Sequence, residues 1–426
     1  MRPARRGLLA LATALVVGLP STAHADPAWA SALGDRSGEA GAAARTAPEV
    51  NPAGGTARKG EPAKSNTLIT RPAGRTASAV RPAVKPQPSP SPSAGKGGRS
   101  PWGPWPAARP GAARVVKETW LGPRMLDLQI SSPAVNATLP VRVLVPQGWS
   151  KGARRTWPVL YLLHGGADDY TSWTRMTDIA GMTEDMDAII VMPEAGRAGN
   201  YSNWYNKGKG GAPGWETFHT SEVRRLLETG YRAGSRRAVA GLSMGAYGAM
   251  KYAALHRGMF RFVGAYSGVM STRLPGIPEL IMNAQASEGQ DPQALWGDPL
   301  RNRDVWRAND PAAHAGNLRG VSIYISSGTT SRLGELDPPG VPWSPAHLGE
   351  PISAYTARDL IAKLRFHGIK PVVNLYQDGT HSWPYWEREF RRSFPMILSA
   401  LGLKTAQDDA SAPREQENVW NLLGGT

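Results

Sequence analysis

Ser243 sits in Gly241-Leu242-Ser243-Met244-Gly245, a G-x-S-x-G spacing. Ala238-Val239-Ala240 before it has the character of a buried strand's end, and Ala246 to His256 after it carries helically spaced apolar residues. A strand turning sharply into a helix strains the middle residue and projects its hydroxyl, and glycines two places either side let strand and helix approach. That is the local arrangement of a serine nucleophile. The N–H of Met244, at the positive end of the helix, would face a developing acyl oxyanion. A second donor is expected from the turn after another central strand, His164-Gly165-Gly166-Ala167, with the N–H of Gly166 as the candidate. His164 itself reads as a packed turn residue, with contact to substrate as the other reading.

A serine nucleophile needs a base, and a loop after a strand's carboxyl end is where the base should lie. Five histidines follow Ser243. His256 falls within a helix, His367 at a helix end, His314 in an insertion and His347 in a Pro-rich loop. His381, in Asp378-Gly-Thr-His-Ser-Trp383, directly follows the last strand and is the candidate base. The acid that orients it should lie on the long loop after Ile325, where Glu335, Asp337 and Glu350 all qualify by spacing. Metal chemistry finds no H-E-x-x-H, and Asp168-Asp169 has no companion ligands at short spacing. No phosphate-binding or dinucleotide fingerprint is present either, so no cofactor is expected.

The elements that must position these groups alternate between strand and helix. Residues 124–131 and 138–145 alternate as an opening antiparallel pair. Residues 158–163, 188–192, 262–266, 321–325 and 371–376 are apolar runs of the kind that central parallel strands make. Helical spacing covers residues 173–182, 216–231, 352–366 and 386–401. This pattern predicts an α/β fold, a mostly parallel central sheet with helices on both faces. A polar loop, residues 199–215, and an insertion of about 50 residues after Tyr266 interrupt it.

Composition divides the chain of 426 residues further. Residues 1–25 have a basic start, an apolar core from Leu8 to Leu19 and Ala23-His24-Ala25 as a cleavage site, so they read as a secretory signal. Residues 26–112 are rich in Pro, Ala, Gly, Ser, Thr and Arg and read as a disordered tether. Residues 113–404 would form the catalytic domain and 405–426 a polar tail. The net charge of +15 is spread unevenly: +7 on residues 26–112, +3 on 1–25, leaving about +5. The basicity therefore belongs mainly to the tether, and no basic stripe or base-stacking module points to nucleic acid. The tether reads as a solvated linker, with contact to an anionic wall or membrane surface as the other reading. With no cysteine in the chain, an exported domain must rest on a large apolar core.

The motifs carry a resemblance. YLLHGG (161–166), VMPEAG (191–196), YSNWY (201–205), WETFHTSEV (215–223), GLSMG (241–245), LWGDP (295–299), RANDP (307–311) and GTHSWPYW (379–386) occur in an order similar to the esterase D branch of α/β-hydrolases. Within it they resemble the secreted mycolyltransferases of the antigen 85 group. The resemblance spans about Trp120 to Leu403. It implies an α/β-hydrolase fold and a Ser–Glu–His triad with the glutamate about thirty residues before the histidine; Glu350 is 31 residues before His381. It also implies transfer of a long acyl chain through a serine acyl-enzyme, onto a sugar or glycerol hydroxyl. Two departures bear on the substrate. The group carries an acidic residue and an arginine in the first central turn, where this chain has His164 and no arginine before Asp168, which speaks against trehalose and mycolate. The cysteine pair of some members is replaced by the KGKGGAP loop.

The resulting expectation is a secreted, monomeric serine esterase or acyltransferase acting on a small-molecule or lipid-type ester. Trp383, Ser382 and Trp204 are the candidate substrate contacts, with Trp215 and Trp386 as further members of a stacking wall or of the core. The competing reading is a non-catalytic wall-associated binding protein on the same fold.

Overall fold

The computed structural model describes residues 112–403. The readings of a signal segment, a tether and a polar tail fall outside the described residues.

Nine strands form one sheet. They are β1 Arg114–Trp120, β2 Met125–Ser132, β3 Ala137–Leu144, β4 Trp157–Leu163, β5 Ile189–Pro193, β6 Ala233–Leu242, β7 Phe262–Tyr266, β8 Ser322–Gly328 and β9 Val372–Tyr376. Their order is β1-β2-β3-β5-β4-β6-β7-β8-β9. The first three run antiparallel, β3 meets β5 antiparallel, and from β5 to β9 every pairing is parallel. The opening antiparallel pair is thus a triplet. β1 escapes a hydropathy reading because it is an edge strand whose side chains are nearly all exposed.

β4, β5 and β7, and β6 from Ala238 onward, carry apolar runs because both faces are covered. Along β4, Val159, Tyr161 and Leu163 enter one core cluster while Leu160 and Leu162 enter the other. Period two therefore survives, but both sides of it are buried.

The principal helices are α1 Ser172–Met176, α2 Ile179–Met182, α3 from Trp215–Thr217 through a π-helical stretch Phe218–Val223 to Arg224–Gly230, α4 Met244–Leu255, α5 Ile277–Ser287, α6 Arg303–Ala308, α7 Gly349–Phe366 and α8 Trp383–Leu401. The helix expected over 173–182 is two short ones, the second capped by the Asp178 side chain, which accepts from the N–H of Gly181. The helix expected from residue 352 begins three residues earlier, at Gly349. Glu350 therefore belongs to its first turn rather than to the loop before it.

Candidate active site

The carboxyl ends of β6, β8 and β9 converge on one place. β6 ends at Leu242, α4 begins at Met244, and Ser243 between them has φ 52° and ψ −119°. Such a conformation is costly for a residue with a side chain and persists only where the surroundings enforce it. Here the Ser243 N–H donates to the Tyr266 carbonyl at 2.9 Å. The flanking glycines are needed because the elements touch: a Cβ on Gly241 would lie 2.4 Å from the Gly245 carbonyl oxygen, and one on Gly245 2.4 Å from that of Leu163.

His381 stands between β9 and α8. Its Nε2 is 2.9 Å from Ser243 Oγ and its Nδ1 is 2.8 Å from Glu350 Oε1. Trp386 meets the imidazole edge-on at 5.0 Å between centroids, and Gly349 is so near that a Cβ there would lie 2.8 Å from His381 Cγ. The ring is held by packing as well as by hydrogen bonds.

Glu350 is fully buried. A carboxylate taken out of water needs compensating donors. Its Oε2 accepts from Ser267 Oγ at 2.9 Å, Ser327 Oγ at 3.1 Å, the Gly328 N–H at 2.5 Å and Tyr376 Oη at 3.2 Å. Its place in the first turn of α7 adds the positive end of a helix. Burial and the neighbouring Glu350 charge push the Tyr376 phenol far above its ordinary range, so it stays protonated and donates.

The other two acids go elsewhere. Glu335 pairs with Arg388 at the surface, its side chain 72% exposed. Asp337 accepts from Thr380 Oγ1, from the Tyr385 hydroxyl at 2.9 Å and from the Gly334 N–H at 2.8 Å. It ties the loop carrying His381 to the loop after β8 without touching the imidazole.

Met244 is the first residue of α4, so its N–H has no helical carbonyl to donate to. The turn after β4 lies over it: a Cβ built on Gly165 would be 3.5 Å from Ser243 Cβ, and one on Gly166 3.8 Å from Met244 Cβ. The Gly165–Gly166 turn and the first turn of α4 therefore lie side by side at Ser243. His164 is fully buried behind this turn.

Of the three candidate substrate contacts, Ser382 and Trp383 follow His381 at the start of α8. Ser382 Oγ meets Thr380 Oγ1 at 2.9 Å, and Trp383 is half-buried against Trp173 and Trp386. Trp204 is a correction. It is 6% exposed, belongs to the core and donates its indole N–H to the Gly199 carbonyl at 3.1 Å. Trp215 and Trp386 are also buried, at 7% each, so no tryptophan wall forms from this set. The holders of Glu350 are what sequence reasoning missed. Ser267, Ser327 and Tyr376 each lie at the carboxyl end of an apolar parallel strand, and a polar residue at such an end was the available signal.

A sequence model of the family described as putative esterase matches residues 132–397. The chain belongs to that esterase family. The esterase is 32% identical over 286 residues to the diacylglycerol acyltransferase/mycolyltransferase Ag85B of Mycobacterium leprae, a match covering 64% of this chain and 83% of that one. With the protein of the same description named Ag85A of Mycobacterium tuberculosis it shares 31% over 289 residues, covering 65% and 81%. Among solved structures it resembles Mycobacterium tuberculosis MPT51, with a TM-score of 0.55 and 23% identity over 64% of this chain and 97% of that one. An S-formylglutathione hydrolase from Agrobacterium tumefaciens gives 0.51 and 16% over 68% and 99%. At these identities the two structures speak for the fold, an α/β-hydrolase. The esterase is thus of the esterase D type, resembles the antigen 85 group, and is an esterase or acyltransferase.

Proposed function

We propose that this esterase is an exported serine enzyme that transfers an acyl group from a lipid-type ester through a covalent intermediate on Ser243. The observation that carries the reading is the continuous hydrogen-bonded series Ser243 Oγ, His381 Nε2, His381 Nδ1 and Glu350 Oε1, at 2.9 and 2.8 Å. His381 takes the hydroxyl proton as Ser243 attacks the ester carbonyl. Glu350 keeps the proton of the ring on Nδ1, so that Nε2 is free to accept, and stabilises the imidazolium that forms. The N–H groups of Met244 and Gly166 receive the oxyanion. The alkoxide leaves with the proton from His381, and a water or an acceptor hydroxyl then releases the acyl group by the same steps in reverse.

The company the chain keeps supports a reading of the acyl donor and acceptor. Relatives bearing the description diacylglycerol acyltransferase/mycolyltransferase support a long-chain donor and a glycerol or sugar hydroxyl as acceptor. Exposed Leu336, Val341 and Trp343, on the loop that Asp337 ties to the His381 loop, offer apolar surface to such a chain. Export rests on the composition of residues 1–25. Among the described residues no helix is long and apolar enough to cross a membrane.

The test is chemical labelling with kinetics. A fluorophosphonate should modify Ser243 and no other serine, and Ser243→Ala should lower kcat on p-nitrophenyl esters by about three to six orders of magnitude with the fold intact. Adding glycerol or sugar acceptors across a series of acyl lengths separates hydrolysis from transfer. Labelling at another serine, or turnover surviving the alanine change, would remove the reading.

A further inference from the structure

Two buried histidines that the reaction does not consume lie behind the oxyanion turn, His164 fully buried and His219 2% exposed. Their partners determine where each proton sits. The backbone N–H of Ala195 points at His164 Nε2 at 3.0 Å. An N–H can only donate, so Nε2 is an unprotonated acceptor, and a neutral imidazole must then carry its proton on Nδ1. His164 Nδ1 lies 2.7 Å from the Gly165 carbonyl, to which it donates. On His219 the assignment is reversed. Nε2 faces the Glu194 carbonyl at 2.8 Å and must donate, so Nδ1 accepts from the Tyr252 hydroxyl at 2.8 Å. Burial holds the His219 imidazole down at about 3 and the Tyr252 phenol well above its ordinary range, which keeps both in these forms.

The bonds join through peptide groups. The Glu194 carbonyl and the Ala195 N–H belong to one peptide unit, and the Gly165 carbonyl and the Gly166 N–H to another. Among the described residues the cis peptide is Ala212–Pro213, so both of these are trans, with carbonyl and N–H pointing in opposite directions. Donation therefore runs one way throughout: Tyr252 on α4 to His219, His219 to the 194–195 peptide, that peptide to His164, His164 to the 165–166 peptide. The chain ends on the Gly166 N–H, which as the far side of a trans peptide faces away from the His164 ring, in a turn that lies against Ser243 and Met244. Links aligned in one sense polarise each other.

We infer that His164 is a positioning residue, which fixes the Gly165–Gly166 peptide plane and aims the Gly166 N–H at the oxyanion as the last donor of this chain. The inference rests on the acyl-transfer reading above and assigns a role to a residue that reading leaves unused. Gly165 and Gly166 are two glycines in a row, a pair with little intrinsic preference for one peptide orientation. A side-chain donor on the Gly165 carbonyl supplies it.

Side chains that keep one or the other of the two bonds separate this role from packing. Asparagine puts a donor nitrogen where Nδ1 stood, while glutamine reaches toward the position of Nε2 and leaves the Gly165 carbonyl unpaired. In the full-length protein, His164→Asn should keep kcat within about tenfold, and His164→Gln should lower kcat by about 10²–10³ with KM nearly unchanged, as for loss of one oxyanion donor. Inhibition by a trifluoromethyl ketone, whose serine adduct bears the oxyanion, should weaken in proportion to kcat/KM across the series. Equal activity in the two variants, or a loss confined to KM, would overturn the inference. Nitrogen-15 NMR of the histidine-labelled wild type needs no variant to fold, and signals are matched to residues through ring-to-backbone correlations. It should find His164 with its proton on Nδ1 and His219 with its proton on Nε2. The opposite tautomer at His164 would equally overturn it. Failure of the wild type to react with a fluorophosphonate would instead remove the acyl-transfer reading itself.

Discussion

Among the acids, contact rather than proximity separates the roles. Glu335 and Asp337 lie between β8 and α7 and Glu350 in the first turn of α7, yet of the three only Glu350 reaches the imidazole. Its charge is useful to His381 because it is buried: there the interaction is weakly screened, whereas Glu335 faces water and its field is damped within about a Debye length of roughly 8 Å. Glu350→Gln keeps the shape and can still accept, but it removes the charge that stabilises the imidazolium. A loss in kcat of up to about 10⁴ is expected, as when a triad acid is made neutral. Glu335→Gln should stay within about a few-fold of wild type. Asp337→Asn occupies the middle ground, about tenfold, because an amide oxygen in place of Oδ2 can still accept from the Gly334 N–H and the Tyr385 hydroxyl, while the bond from Thr380 on the histidine loop is lost. Rates of the three variants on one activated ester, with circular dichroism to exclude unfolding, decide the order. A crippled Asp337→Asn beside a normal Glu350→Gln would reverse the assignment.

At the scale of elements, the site depends on how closely β4, β6 and α4 pack. A methyl group on Gly245 would meet the backbone oxygens of Leu163 and His164 at 2.4 and 2.5 Å, and backbone cannot rotate aside as a side chain can. Gly245→Ala should therefore push α4 from the sheet, costing about 1–3 kcal/mol of stability and displacing Ser243 from His381, with at least about a 10²-fold loss of turnover. Denaturant titration and kinetics on the same preparation check it, and a fully active, fully stable variant would refute the packing account. That closeness was legible beforehand, not from the glycine spacing alone in a chain of 48 glycines but from its place between a strand-like and a helix-like stretch. So were β4, β5, β7 and the start of β8, whose apolar runs have no outlet but a covered sheet. The start of α7 was not: Gly349-Glu350-Pro351 reads as loop, and it is helical because Glu350 and its buried partners anchor the first turn. Trp204 misled for the opposite reason. Its neighbours are polar, but the loop folds inward and satisfies the indole N–H with its own backbone. The histidine chain was beyond reach, because it depends on the orientation of two peptide planes that no residue type encodes.

For the molecule as a whole, the groups that brace α4 also determine how the fold responds to acid. His219 is buried neutral, its pKa lowered from the ordinary 6.5 to about 3 by burial. Glu216 is partly buried beside Lys251 and His256; burial alone would raise it, but the Lys251 charge and the hydrogen bonds from Lys251 and His256 bring it down to about 2. In both cases the unfolded chain takes up a proton at a higher pH than the native state does. Stability therefore rises with pH across each window and is lost as pH falls, from about 6.5 downward for His219 and from about 4.5 downward for Glu216. At about 1.4 kcal/mol per pH unit, His219 alone accounts for roughly 3 kcal/mol between pH 6.5 and 4. Replacing it with glutamine keeps a donor for the Glu194 carbonyl and removes the titration. The unfolding free energy of His219→Gln should accordingly be nearly flat, in this residue's share, from pH 6.5 to 4.5, where the wild type declines by about 1 kcal/mol per unit. Below pH 4.5 both proteins also lose the Glu216 contribution, but the wild type stays the steeper of the two until the pH nears about 3, where native His219 takes its proton as well. Urea titrations at half-unit intervals from pH 7 to 3.5 measure both slopes. Identical slopes above pH 4.5 would mean that His219 takes its proton in the native state as readily as in the unfolded one, and that the bonds joining α4 to the oxyanion turn do not exclude it.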